Sequence, residues 1–317
     1  MVDKSEEGRW LVFAADAAFQ QAALKVITRA KQTGIPVVIW QDGHIEEIPS
    51  EKLLPNVWAN ALAIEHRAWL GKFDPQYVQN WEKLLNADLE AALVEAGVRR
   101  ILQQHGVAVE PNESLTGECR RPDFRCTVGQ SHFYVEATAV QIATAEKKTG
   151  ITDVATGPVP YNQLGMIEAV YAKCAKKASQ CANQDGPVLV AIGTFHMNAA
   201  MDFSEKRFVN HVATGKSKMA FNVGASGQQL GETYQLTAPV VAAFLQSDAT
   251  QEVRSIRDPI SGLLLCRISA EPSTAFGVLH PKPLHPFDPA LLPDIQFAQV
   301  ELDNASHQLR VRWPEGG

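Results

Sequence analysis

The sequence predicts an α/β (α+β) domain from about residue 57 to the end, a mixed central sheet flanked by helices. Residues 1–56 precede it as a helix and β-hairpin appendage. Three observations carry this. Residues 86–105 (NADLEAALVEAGVRRILQQH) and 166–182 have helical periodicity, whereas residues 131–137 alternate with period two between them. Residues 187–192 (PVLVAI) form a short apolar run of the kind that builds a strand covered on both faces. The 317 residues exceed what one small core usually holds, so a large domain with an attachment is expected.

From about Ala14 to Gln32, Phe19, Ala22, Ala23, Val26, Ile27 and Ala30 share one helical face, and Gly34 ends the pattern. Residues 36–40 (PVVIW) read as a strand, Asp42-Gly43 as a two-residue turn, and residues 44–48 as the returning strand. A two-stranded ribbon is marginal in water, so this unit must pack on something. Two readings follow: an adaptor that contacts a protein partner or forms a homodimer, or a part that completes the main core. Residues 49–55 are a polar connection. Helical pattern resumes over 56–69, and Asp74-Pro75 caps the next helix.

The chemistry concentrates in residues 120–138 (RRPDFRCTVGQSHFYVEAT). Pro122-Asp123-Phe124 opens an extended arm, Gly129-Gln130 turns it, and the returning arm places Phe133 and Val135 on one face with Tyr134, Glu136 and Thr138 on the other. Asp123 and Glu136 therefore stand on the two arms of one hairpin. Two carboxylates at a sheet edge suit Mg²⁺ or Mn²⁺, with water and a phosphate oxygen completing the coordination.

Pro-Asp, a short hairpin and Glu-x-Thr together resemble the PD-(D/E)XK nuclease superfamily, which includes restriction endonucleases and repair nucleases. The resemblance covers residues 90–193, where a helix, a hairpin with two acids, a second helix and a strand follow in that family's core order. It implies a restriction-endonuclease-like fold and a Mg²⁺-dependent endonuclease acting on nucleic acid, with DNA favoured, in defence or repair. Asp123 and Glu136 would bind the metal, and Glu95 on the preceding helix would be a third acid. Thr138 stands where the family has its lysine. In some members a lysine from the following helix serves instead, with a glutamine shortly after it; Lys177 and Gln180 match that arrangement. The competing reading is a nuclease-fold module without catalysis, acting in binding or assembly.

The second helix supports the choice of Lys177. Ile167, Val170, Tyr171, Cys174, Ala178 and Cys181 form its apolar stripe, bordered by Lys173 and Lys177, while Lys176 points away. Between Gln141 and Asn162, Thr, Gly and Pro runs predict a long loop, either a flap over a groove or a surface excursion. Beyond residue 192, residues 260–268 read as a buried strand, residues 276–279 as another, and 296–301 with 308–313 as a terminal hairpin.

Composition narrows the classes. A 45% hydrophobic, 20% charged chain is an ordinary globular protein, and a net charge of -6 argues against a general basic coat for nucleic acid. Five cysteines without a Cys-x-x-Cys pair favour neither a zinc ribbon nor a disulfide scaffold, so a reducing compartment is expected. With no apolar run long enough to span a membrane, the protein is read as cytoplasmic with no membrane contact. A phosphate loop and a nucleophile elbow are both absent.

Overall fold

The structure, a computed structural model, describes residues 18, 21–41, 44–49, 57–115, 121–151, 161–215, 218–223, 229–236, 240–248, 252–269, 273–303 and 308–314. It is a mixed α/β protein. An eight-stranded sheet runs in the order β14 (Gln308–Arg312), β13 (Gln296–Asp303), β12 (Thr274–Leu279), β11 (Gly262–Arg267), β6 (Val188–Gly193), β5 (Ser131–Ala139), β4 (Phe124–Val128) and β3 (Ala108–Pro111), while β7 (Lys218–Val223) pairs with β8 (Gln229–Leu236) and β9 (Leu245–Ser247) with β10 (Val253–Ser255). Its centre is parallel, with β5, β6 and β11 side by side. On one flank β4 and the edge strand β3 are antiparallel. On the other, β12 is antiparallel to β11, and β13 with β14 closes the sheet.

Period two along β5 separates the two helical layers. Phe133, Val135 and Ala137 pack with the helices α2 (Val57–Leu70), α3 (Pro75–Ala87) and α4 (Leu89–Gln104). Tyr134 faces the opposite layer, built on α6 (Gln163–Cys181) and α8 (Lys206–Thr214). Helix α4 sits unusually close to the sheet because Gly97 offers no side chain; a Cβ there would lie 2.6 Å from the Ile268 side chain.

The predicted hairpin is present, with Gly129 at φ +59° in its turn. The expected single helix over 86–105 divides instead. Asp88 leaves helical geometry after α3 and caps α4, its Oδ1 accepting the Ala91 N–H at 3.1 Å. Strand β3, unanticipated, ends at Pro111 on the sheet edge, where a missing N–H costs nothing.

A second correction concerns the long loop expected over 141–162. Residues Ile142–Thr149 form helix α5, burying Ile142, Ala145 and Thr149 and ending at Gly150 in left-handed conformation. The remainder of that stretch, 152–160, lies outside the described residues, as do the Asp42-Gly43 turn and Phe19.

In the appendage, residues 21–33 are helical (α1), and β1 (Val37–Gln41) pairs with β2 (His44–Ile48). Its buried face is rotated from the expected one: Gln21, Leu24, Ile27 and Ala30 are buried, while Ala22 and Val26 are exposed. Leu24, Ile27 and Ala30 join the same core as α4 and the sheet. Beyond β6, α7 (Met197–Asp202) and α8 bury Phe203, Phe208, Val209 and Val212, so much of residues 202–214 is core. Among the described residues no helix is long and apolar enough to cross a membrane.

Candidate functional site

The site begins where β4 stops accompanying β5. Their pairing reaches Phe124 opposite Val135 and goes no further, whereas β5 continues to Ala139 beside β6 alone. One edge of β5 is thereby left without a strand over residues 136–139. Asp123, the residue just before β4, fills the gap by accepting the Ala137 N–H on its Oδ2 at 2.7 Å. Its own backbone is pinned, because the Asn112 N–H donates to the Asp123 carbonyl at 2.8 Å and the Asn112 amide to the Pro122 carbonyl at 3.0 Å.

Side chains from both layers converge on this gap. From α6, the Lys177 ammonium donates to Glu136 Oε1. From α4, Glu95 lies near enough for its charge to act on both Asp123 and Glu136. Glu136 is 1% exposed, and its second oxygen, Oε2, is buried without a hydrogen-bond partner. The Asp123 backbone amide favours the Glu136 charge from outside hydrogen-bond geometry. A buried acceptor left in that state costs roughly 1–3 kcal/mol, more when charged.

The electrostatics follow from crowding acids away from water. Burial pushes the Glu95 carboxyl up to about 8, opposed only by Lys177. Asp123 is held well above the usual carboxylate range by burial, then by the charges of Glu136 and Glu95, with Lys177 and the Ala137 amide opposing. Glu136 is raised by burial, against the charge and hydrogen bond of Lys177. For Lys177, burial acts downward, but Glu136 and Asp123 outweigh it and keep the ammonium above its ordinary value. Burial is less complete at the rim, where the Glu95 side chain retains 19% exposure and Asp123 is half-buried.

The structure thus brings Asp123, Glu136, Glu95 and Lys177 together. Thr138 lies buried two residues beyond Glu136 on the same strand face, and its hydroxyl makes no hydrogen bond to the acids. Gln180 is half-buried on α6 and does not contact them. Lys173, one turn before Lys177, faces the charges of Asp88 and Glu90 instead.

Two further residues at the site were not picked out from the sequence. Glu113, in the connection between β3 and β4, is pushed up to about 7 by burial and by Glu95. His66 of α2 lies with its Nε2 3.5 Å from Glu95 Oε1. Its signal was present, since it is a lone polar residue in the buried stripe of Ala59, Leu62, Ala63 and Leu70.

Among the described residues no three His, Cys, Asp or Glu side chains stand close enough to cage a metal ion by themselves. The charges of Glu136 and Glu95 act on Asp123, and that of Glu95 acts on Glu136. The donor set nonetheless fits a hard divalent cation of the Mg²⁺ kind, which takes one or two carboxylates and keeps water or phosphate oxygens elsewhere. The unpartnered Glu136 Oε2 beside Asp123 is the observation behind that fit. No protein-family model matches this chain, and neither a curated protein nor a solved structure matches it significantly.

Proposed function

We propose that the protein is a divalent-metal-dependent nuclease of restriction-endonuclease-like fold, hydrolysing phosphodiester bonds of nucleic acid, DNA in preference to RNA. The observation that carries this reading is the pairing of Lys177 with Glu136 at a strand gap already occupied by Asp123, with one Glu136 oxygen left over. The element order α4, β3, β4, β5, α5, α6, β6 contains the helix, hairpin, helix and strand of the PD-(D/E)XK core, with β3 and α5 added.

Asp123 and Glu136 would hold the cation, and Glu95 would add negative charge from α4. A cation held there supplies Lewis-acid polarisation of the phosphodiester and a lower pKa for an attacking water. The chain's own part is electrostatic and positional. Lys177 arrives from the helix rather than from position 138, and its ammonium orients a water and offsets charge developing on the phosphate, which the Thr138 hydroxyl cannot do. Against the opposing effect of burial, Glu136 favours the charged form of Lys177. The four described cysteines, Cys126, Cys174, Cys181 and Cys266, are buried thiols, in keeping with a cytoplasmic setting.

The appendage would supply a protein contact, with a second copy of the chain or another partner. Val38, Trp40 and Ile45 crowd one face of the β1–β2 ribbon, with Trp40 72% exposed and opposite Ile45.

Incubation of the purified chain with linear and supercoiled DNA and with RNA tests the reading. Cleavage is expected with Mg²⁺ or Mn²⁺, none with chelator, and none from Asp123→Asn. A folded wild-type chain that cuts none of these substrates with either metal returns the protein to the binding-module class, the reading that Thr138 favours.

A further inference from the structure

Helix α2 carries a histidine in a place where a phenylalanine would pack as well. The His66 side chain is 0% exposed. Its ring lies 4.8 Å from the Trp81 ring of α3 and 5.2 Å from the Trp69 ring of its own helix, both tilted by 43°. The Arg99 guanidinium covers the Trp69 ring at 5.5 Å and is itself tied to Glu65 at 2.7 Å and Gln103 at 2.6 Å. Neither ring nitrogen of His66 has a hydrogen-bond partner. Two orphaned nitrogens in an aromatic slot are costly, and apolar packing gives no reason to keep them.

Among the described residues their charged neighbour is Glu95, its Oε1 3.5 Å from Nε2, longer than a formed hydrogen bond to a charged oxygen. We infer that His66 is a positioning residue for the acid cluster, its Nε2–H aimed at the Glu95 carboxylate so as to orient that acid toward a cation. This rests on the metal reading proposed above. Donation from Nε2–H to Oε1 would fix which way the Glu95 carboxylate faces, and a cation on its other side would favour the same contact as a charge-assisted bond. The two indoles, tilted against the ring at about 5 Å, pack the imidazole in place. Outer partners of this kind typically alter metal affinity by about 10–100-fold.

The test is calorimetric titration of the full chain with Mn²⁺, alongside thermal unfolding of the metal-free protein. His66→Phe should keep the metal-free melting temperature at or above that of wild type, yet weaken Mn²⁺ binding by about 10–100-fold. His66→Gln, whose amide reaches the Nε2 position, should recover most of the affinity. In a Glu95→Gln background, His66→Phe should cause no further loss. A merely structural role would lower the melting temperature and leave affinity unchanged. Wild-type binding with affinity within twofold in folded His66→Phe, or an equal loss in the Glu95→Gln background, overturns the inference while leaving the metal site standing. Absence of Mn²⁺ binding in the wild type overturns both. Should His66→Phe fail to fold, nitrogen NMR of the wild-type ring decides: Mg²⁺ should move an Nε2-bound proton downfield, and a ring protonated only at Nδ1 contradicts the assignment.

Discussion

Two groups of buried acids lie along helix α4, and they differ in what their oxygens do. At the first turn, Glu90 accepts the Ile142 N–H at 2.8 Å, closing the N-terminus of α5, while Asp88 accepts from the Gln141 amide at 2.7 Å. Near the middle of the helix, Glu95 looks into the strand gap with Asp123, Glu136 and a single ammonium, and Glu136 Oε2 remains unpartnered. Burial raises both glutamates, Glu90 to about 7 and Glu95 to about 8, so a displaced pKa alone does not separate a helix cap from a site. Unsatisfied acceptor capacity does. A cavity of about 320 Å³ opens beside the cap, lined by Thr28, Lys31, Asp88, Glu90 and Gln141.

The largest effect expected from this difference is on turnover. Removing one preorganised electrostatic group usually costs about 10²-fold or more, so Lys177→Ala should slow metal-dependent DNA cleavage by that factor in single-turnover assays. Lys173→Ala, one turn away and directed at the cap, should change it by about twofold or less, since exposed and peripheral charges contribute little. Equal losses in the two variants would erase the distinction between the regions.

A smaller effect concerns pH. Glu90, Glu95 and Glu113 have folded-state values of about 7, about 8 and about 7 against 4.5 unfolded. Between the unfolded and folded values the folded chain binds more protons, so stability falls as pH rises and the loss is complete above the folded values. His66 works the other way, lowered to about 3 by burial and Arg99, but its contribution is already complete once pH exceeds its ordinary 6.5. Metal-free protein should therefore lose melting temperature as pH rises through 7 to 8. Glu95→Gln should flatten the upper part of that slope and Glu90→Gln the lower part. A stability that climbs across this window would contradict protonated, buried acids.

The smallest effect falls on the cap. Glu90→Ala removes one acceptor from the α5 N-terminus and should cost about 1 kcal/mol by denaturant unfolding, with cleavage retained.

Much of the site was legible because local periodicity fixes direction. Period two placed Glu136 away from Phe133 and Val135, and the edge of the α6 stripe singled out Lys177 over Lys176. What was not legible depends on contacts distant in sequence. Helix α5 was read as loop because its few apolar positions are diluted by the Thr, Gly and Pro that follow, and because its N-terminus is held by Glu90, 52 residues earlier. The parallel placement of β11 against β6 likewise has no local signature. Glu113, which follows β3, feels the charge of Glu95 across a sheet edge set by the pairing of β3 with β4.

On the proposed metal reading, the strand gap, and not the cap, would take the cation. Calorimetric titration with Mg²⁺ and Mn²⁺ of the wild type, Glu136→Gln and Glu90→Gln tests it most directly. A single site should appear in the wild type, persist in Glu90→Gln and vanish in Glu136→Gln. Binding unaffected by Glu136→Gln, or lost in Glu90→Gln alone, would contradict it.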